Sequence, residues 1–363
     1  MRHSIADIAK SIGARFAGDG TLTVSRIAEP AAASVTDLAL AMTKVYAADL
    51  HKGSAEVAVL WEGADWTAYG LKAAILVTRP RLAMAGITAM FEIAPAAVSG
   101  IAATAEIDAT ALIGKGASVG AFCVIGAQVK IGDNAKILPH VTIGENTTIG
   151  ADCLLYSGVR IGSRVRIGDR FIAHYNAVIG SDGFSFVTPE TGAIEAAKSS
   201  HTSTLSAKPQ PYSRIASIGS VEIGDDVEIG ALSSVDKGTV ADTRIGRGTK
   251  IDNHVQIGHN VQIGQDCLLC AHSAVAGSSI LGDRVVLGGQ AGVADHIKLG
   301  DGVIAGGASA ILSNVPAGRV VMGYPAVKMD QNIETYKALR RLPRLMAKVE
   351  YLQKLVSNLN KTG

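Results

Sequence analysis

An aliphatic residue followed by glycine or another small residue returns every six positions through much of this 363-residue chain. Few folds accept such a period. The run passes through Ile107, Ile113, Val119, Ile125, Ile131, Ile137, Ile143, Ile149, Leu155, Ile161, Ile167, Ala173 and Ile179, and resumes at Ile223, Ile229 and Val235. A ten-residue step to Ile245, one hexad with four extra residues, precedes an unbroken series from Ile251 to Ile311. Six is neither the helical period nor a simple alternation, so each hexad must be a short strand plus a turn. One aliphatic per hexad points inward, and the small residue after it permits the turn with little Cβ penalty. Stacked coils then bury a continuous aliphatic column, giving a quasi-one-dimensional parallel β-helix.

Composition agrees. Forty-one glycines against six phenylalanines and two tryptophans suit repeated tight turns, and 48% hydrophobic content excludes collagen and low-complexity disorder. A net charge of +2 gives no sign of a nucleic-acid binder. No stretch of uncharged apolar residues reaches membrane-spanning length, and the amino terminus has no apolar core of a signal peptide; the expected location is cytoplasmic. Cys123, Cys153, Cys267 and Cys270 are too scattered for a disulfide framework, and the lone CxxC of Cys267 and Cys270 reads as two small residues in a β-coil.

Three regions follow. Residues 1–100 read as a small α/β domain, with a helical start at Ile5, Ile8, Ala9 and Ile12 closed by Gly13, and a strand at 73–78 before Pro80. Residues 101–318 form the β-helix, interrupted by a loop at 181–217 too long for an ordinary turn. Residues 326–363 form a helical segment: Leu342, Leu345, Val349, Leu352, Val356 and Leu359 make a heptad seam, with Pro343 expected near its start. The tail from Lys328 carries eight Lys or Arg against three acidic residues.

Nine histidines offer acid/base chemistry, and His254, His259, His272 and His296 cluster within little more than two coils. Three hexads per coil would stack His254 on His272 and let His259 and His296 share one rim. Exposed corners that simply accept histidine are the plainer explanation for any one of them.

The segments KIDNHVQIGHNVQIG (250–264), IGSDGF (179–184), IGDDVEIGA (223–231), GGQAGVADHIKLGDG (288–302) and GYPA (323–326) resemble the UDP-3-O-(3-hydroxyacyl)glucosamine N-acyltransferases of lipid A biosynthesis, hexapeptide-repeat enzymes. The resemblance implies a left-handed β-helix with three hexads per coil. It also implies a soluble homotrimer that moves a 3-hydroxyacyl chain from acyl carrier protein to the 2-amine of a UDP-3-O-acyl-glucosamine, with no bound cofactor or metal. His259 matches the family's general base. His296 matches its second histidine, near the phosphopantetheine arm or the tetrahedral intermediate, and Gly277 matches the position whose backbone N–H faces the oxyanion. Asn253 and Asp252 fall in the same segment as substrate-binding candidates, Asp252 also as a carboxylate able to orient a histidine. Tyr46 matches an aromatic that stacks uracil, while Leu40 and Thr43 stand where the family usually has Phe and Asn. The 181–217 loop lacks the family's common Trp-Val-Lys-Ile-Pro-Gln stretch, which leaves an altered amino sugar open. The basic tail suits an acidic carrier protein. A second alternative is a metalloenzyme like the γ-carbonic anhydrases, for which His254 and His259 have a compatible spacing but a third histidine is missing.

Overall fold

A computed structural model describes residues 2–192, 195–196, 209–323 and 326–362, in two compact units, Met1–Ala96 and Ala97–Gly363. The first unit is a five-stranded sheet in the spatial order Arg15–Gly18, Ala73–Val77, Val57–Trp61, Asp37–Leu40 and Arg26–Ala28. The first pair is antiparallel and the rest are parallel. Alternation gives the sheet two apolar faces. Leu38, Val57, Val59 and Ile75 pack with Ile5, Ile8 and Ile87 of the helices Ile5–Ser11 and Pro80–Phe91. Ala39, Ala58, Leu60 and Ala74 pack with Leu50 and Leu71 on the other side.

Fully buried Asp37 ties the edge strand down. Its carboxylate accepts two hydrogen bonds from Arg26, at 2.7 and 2.8 Å, and others from the Ser34 N–H and hydroxyl. The Arg26 hydrogen bonds hold that carboxyl far below the ordinary carboxylate range.

The second unit is built from three parallel sheets that form three faces of a coil. They begin with Glu106–Ile107, Leu112–Ile113 and Ser118–Val119, and are called here the first, second and third faces in that order. Ile125 pairs with Ile143, Ile131 with Ile149 and Ile137 with Leu155, so the coil advances eighteen residues. Ile107 through Ile311 supply the buried column. Each hexad buries a second residue two positions earlier as well, for example Cys123, Val129, Ala135, Val141 and Phe171. The expectation of one inward residue per hexad was too few, because a strand of period two sends both alternate positions to the same side. A polar second residue can be satisfied across coils, as at Thr147, whose Oγ1 donates to Gly162 O at 2.8 Å and accepts from Val165 N–H at 3.2 Å, whereas the buried Ser273 hydroxyl finds no hydrogen-bond partner among the described residues.

The glycine after each aliphatic also has a different reason from the one expected. At Gly132 the backbone φ is not positive, but a Cβ would lie 2.4 Å from the Gly150 carbonyl carbon of the next coil. The left-handed conformation falls two positions later, on residues such as Asn134, Asn146, Asp152 and Asn176. Asn, Asp and His tolerate that region best among residues with side chains. His140, His254, His272 and His296 all occupy it, with φ between 59° and 63°. Turn chemistry therefore accounts for these four, whereas His259 sits elsewhere in its turn.

Two insertions interrupt the coil, and both leave from the corner between the first and second faces. After Val178–Ser181 the second face resumes at Val221–Ile223, so that Ile167 pairs with Ile223. After Ser234–Asp236 it resumes at Thr243–Ile245, and Ile223 pairs with Ile245, twenty-two positions on. Within the first insertion Phe186–Val187 pairs antiparallel with Ser213–Arg214. Residues 193–194 and 197–208 of the expected loop, and Tyr324 and Pro325 of the GYPA segment, lie outside the described residues.

All four cysteines are free, three of them buried. Burial pushes the Cys153 thiol up to about 11. Among the described residues no group of His, Cys, Asp and Glu could hold a metal ion, and no helix is long and apolar enough to cross a membrane.

One helix, Met329–Thr362, ends the chain. Leu342, Leu345, Val349, Leu352 and Val356 are all exposed along it; the Leu359 side chain lies outside the described residues. Pro343 sits well inside this helix, not near its start, because the helix-favouring run Glu334–Lys337–Ala338–Leu339 extends the helix upstream of the seam. The ring removes the N–H that Leu339 O would otherwise receive.

Candidate functional site

The corner between the first and second faces carries His259, directly after Gln256–Ile257. Its ring is held from two sides by residues without side chains. A Cβ on Gly183 would lie 2.7 Å from His259 Cβ, and one on Gly277 would lie 2.7 Å from both Cε1 and Nε2. Gly277 is there because it follows Val275, the partner of Ile257 in the next coil. Gly183 comes from the first insertion, where its N–H donates to Ser217 Oγ at 3.0 Å.

The second insertion fixes the orientation of the ring. Asn260 Oδ1 accepts from the Thr239 N–H at 2.9 Å, and Asn260 Nδ2 donates to Ala241 O at 2.8 Å. The amide can therefore sit only one way round. Its oxygen is also 3.1 Å from His259 Nδ1. An oxygen there accepts, so Nδ1 carries the proton and Nε2 keeps a free lone pair in the neutral ring.

A cleft of about 590 Å³ opens beside the ring, lined by Asp182, Phe184, Asp236, Gln256, Gly277 and Val293 among others. Asp182 is neutralised by Lys237 Nζ at 2.7 Å and by Arg214. Lys237 in particular holds its carboxyl below the ordinary range. Asp236 is buried and accepts from Gln256 Nε2 at 3.0 Å. Burial raises its carboxyl above the ordinary range.

Of the candidates read from the sequence, the structure brings His259 and Gly277 together. His296 lies on the same corner two coils on, one position later in its turn, since Ser278 N bonds His259 O while His296 N bonds Gly277 O. It shares the rim as expected but does not line the cleft; Nδ1 lies 3.4 Å from Asp295 Oδ2. Asp252 and Asn253 sit at a different corner, between the third and first faces. Asp252 accepts from the Asn253 N–H at 2.7 Å and the Ala271 N–H at 3.0 Å, and Asn253 Oδ1 accepts from the Ala231 N–H at 2.6 Å. Among the described residues Asp252 is hydrogen-bonded to no histidine, and the group that orients His259 is an amide. His254 and His272 stack as expected, 4.8 Å apart and parallel within 1°, on that same corner. The His254/His259 pair of the metalloenzyme alternative is thus split between two corners.

In the first unit, Tyr46 is more than half exposed and borders a cavity of about 620 Å³ with Pro30, Leu40, Met42, Thr43 and Met84. Leu40 and Thr43 leave this cavity largely apolar, with one aromatic ring on its wall. Gly183, Asp236, Gln256 and Asn260 were missed in the sequence. IGSDGF and KIDNHVQIGHNVQIG contained three of them, but nothing in their spacing showed that both insertions return to one histidine.

Known proteins agree with this architecture. The family of bacterial transferase hexapeptide (six repeats) matches residues 110–145, 140–170 and 242–277. A UDP-3-O-acylglucosamine N-acyltransferase of Ruegeria pomeroyi is 56% identical over 357 residues, covering 98% of each chain. One of Paracoccus denitrificans is 55% identical over 363 residues, covering 100% of this chain and 99% of its own. Among solved structures, the Arabidopsis UDP-N-acetylglucosamine acyltransferase superposes with a TM-score of 0.52 at 25% identity, over 61% of this chain and 71% of that one. The fold is a left-handed β-helix.

Proposed function

Because this chain belongs to the UDP-3-O-acylglucosamine N-acyltransferase family, we propose that it transfers a 3-hydroxyacyl group from acyl carrier protein to the 2-amine of a UDP-3-O-acyl-glucosamine, with His259 as the base. One observation carries the assignment: Asn260 Oδ1 accepts from His259 Nδ1, which leaves Nε2 as the nitrogen able to take a proton in a ring that lines an open cleft. As the amine nitrogen attacks the thioester carbonyl, Nε2 takes one of its protons and a C–N bond forms. The tetrahedral oxyanion collapses, the C–S bond breaks, and the imidazolium returns the proton to the departing thiolate. General base catalysis of this kind contributes ~10²–10⁴ in rate.

The backbone N–H of Gly277 is the proposed oxyanion donor, and the bare position beside Nε2 supports that role, since a side chain there would exclude the carbonyl. His296, exposed on the rim, is proposed to meet the phosphopantetheine arm. Asp252 and Asn253 are proposed substrate contacts brought to a neighbouring copy's cleft by a homotrimer. The exposed seam of the terminal helix supports such an assembly, because a lone helix with an apolar stripe gains its stability from packing. Tyr46 is proposed to stack the uracil, and Arg340, Arg341, Arg344 and Lys348 to attract the acidic carrier protein. The site of action is cytoplasmic, where the carrier-bound donor is made, and the reaction needs no further cofactor.

The test is transfer of 3-hydroxyacyl from acyl carrier protein to UDP-3-O-acyl-glucosamine by wild type and His259→Ala. Turnover that falls at least ~10²-fold in the variant supports both reaction and base. Absence of turnover by folded wild type rejects the reaction, and an undiminished variant removes His259 from it.

A further inference from the structure

The cleft holds one carboxylate with no cationic partner. Asp182 is fully engaged by Lys237 and Arg214. Asp236, only 8% exposed, forms no ion pair with Lys or Arg among the described residues. It closes the strand Ser234–Asp236 on the first face, whose Val235 pairs with Ile257, so it lies one coil before Gly258 and His259. Gln256 Nε2 occupies Oδ2 at 3.0 Å, while Oδ1 has no hydrogen-bond donor among the described residues. Oδ1 is not sealed off from the cleft and is free to receive a hydrogen from a molecule bound there. Both Asp236 and His259 line the same cleft.

We propose that Asp236 is the amine subsite of the acceptor and the residue that makes this enzyme select nitrogen over oxygen as nucleophile. The inference rests on the N-acyl transfer proposed above and adds the group that recognises its nucleophile. A primary amine has two N–H bonds and one lone pair. One hydrogen goes to Asp236 Oδ1 and the other to His259 Nε2, which leaves the lone pair directed at the thioester carbonyl. A hydroxyl in the same place has a single hydrogen. If it faces His259, an oxygen lone pair faces Asp236; if it faces Asp236, the base has nothing to remove. Burial disfavours the bare carboxylate at Asp236, and an N–H donor at Oδ1 would offset part of that cost. Sites that leave a buried polar group unpaired against the wrong substrate discriminate strongly.

The experiment compares acyl transfer to UDP-3-O-acyl-glucosamine and to its 2-hydroxy analogue, by wild type and Asp236→Asn. The expected result is a fall in kcat/KM for the amine of ~10²-fold or more, with a ratio of amine to alcohol turnover that collapses by a similar factor, since Asn can donate to a hydroxyl oxygen. Unchanged discrimination in an active variant overturns the proposal while leaving the reaction standing. No transfer to the amine by wild type rejects the reaction itself, and the subsite with it. If Asp236→Asn does not fold, binding to wild type decides by calorimetry: the amine must bind at least ~10-fold tighter than the hydroxyl analogue, and equal affinity overturns the proposal.

Discussion

The side-chain oxygen of Asn260 lies 3.1 Å from Nδ1 of His259, and the same oxygen is held at 2.9 Å by the Thr239 N–H. A backbone donor from a short insertion thereby dictates the tautomer of a ring in the next coil. The group that fixes which ring nitrogen carries the proton also fixes which nitrogen is free to accept one.

If His259 is the base, replacing Asn260 with Ala should therefore lower kcat by ~10²-fold, the cost of a misplaced reacting group, while acceptor KM changes little. Nitrogen-15 spectra of the histidines should report the Nδ1–H tautomer for His259 in wild type and a mixture in the variant. An unaltered tautomer with unaltered kcat would remove Asn260 from the mechanism.

Gly277→Ala places a methyl group against Cε1 and Nε2 of His259, atoms at the free end of a side chain. The ring can swing away, so the fold should persist with little change in melting temperature. A reacting group displaced by about 1 Å costs ~10²-fold. Assays of kcat alongside thermal melts separate this from simple unfolding, and a fully active Gly277→Ala would contradict the close packing seen at that ring.

Tyr46→Ala should weaken binding of UDP to the chain by ~10-fold, the loss expected for one base-stacking aromatic at the low end of the usual range. Titration calorimetry with UDP alone measures it. His259→Ala serves as the control that leaves UDP affinity intact, and a Tyr46→Ala variant with wild-type affinity would place the uracil elsewhere.

The Asp37 carboxyl is depressed mainly by its Arg26 hydrogen bonds, so it stays ionised in the folded state at pH values where an unfolded Asp protonates. Its contribution is complete above the unfolded value of about 3.9 and is lost as pH falls below that toward the folded value. Wild type should be more stable than Asp37→Asn at pH 7, and the gap should narrow as pH drops from about 4 to 2. Urea midpoints followed by the fluorescence of Trp61 and Trp66, both in the first unit, provide the measurement; a gap independent of pH in that range would show that the ion pair is not what Asp37 contributes.

Most of the architecture was legible because a strict period needs no partner to be read. The eighteen-residue ruler placed His254 on His272 and put His259 beneath Gly277. It missed the second inward residue two positions earlier in each hexad, since hexad spacing alone does not count strand alternation. It also gave the glycines the wrong cause: steric contact between coils, and not a positive φ, excludes a side chain at Gly132. Pro343 falls near the start of the heptad seam as expected but inside the helix, which already begins at Met329.

The sequence by itself determined the coil and its aliphatic column and singled out the histidine proposed as base, because each depends only on local spacing or on a contiguous motif. Tertiary structure alone decided what surrounds that histidine. Gly183 reaches it, as does the Thr239 amide that orients Asn260, through two insertions that break the period, and once the period is broken sequence distance no longer measures distance in space. The insertions return to one corner because the strands on either side must recover the same register, Ile167 with Ile223 and Ile223 with Ile245, to close their hydrogen bonds.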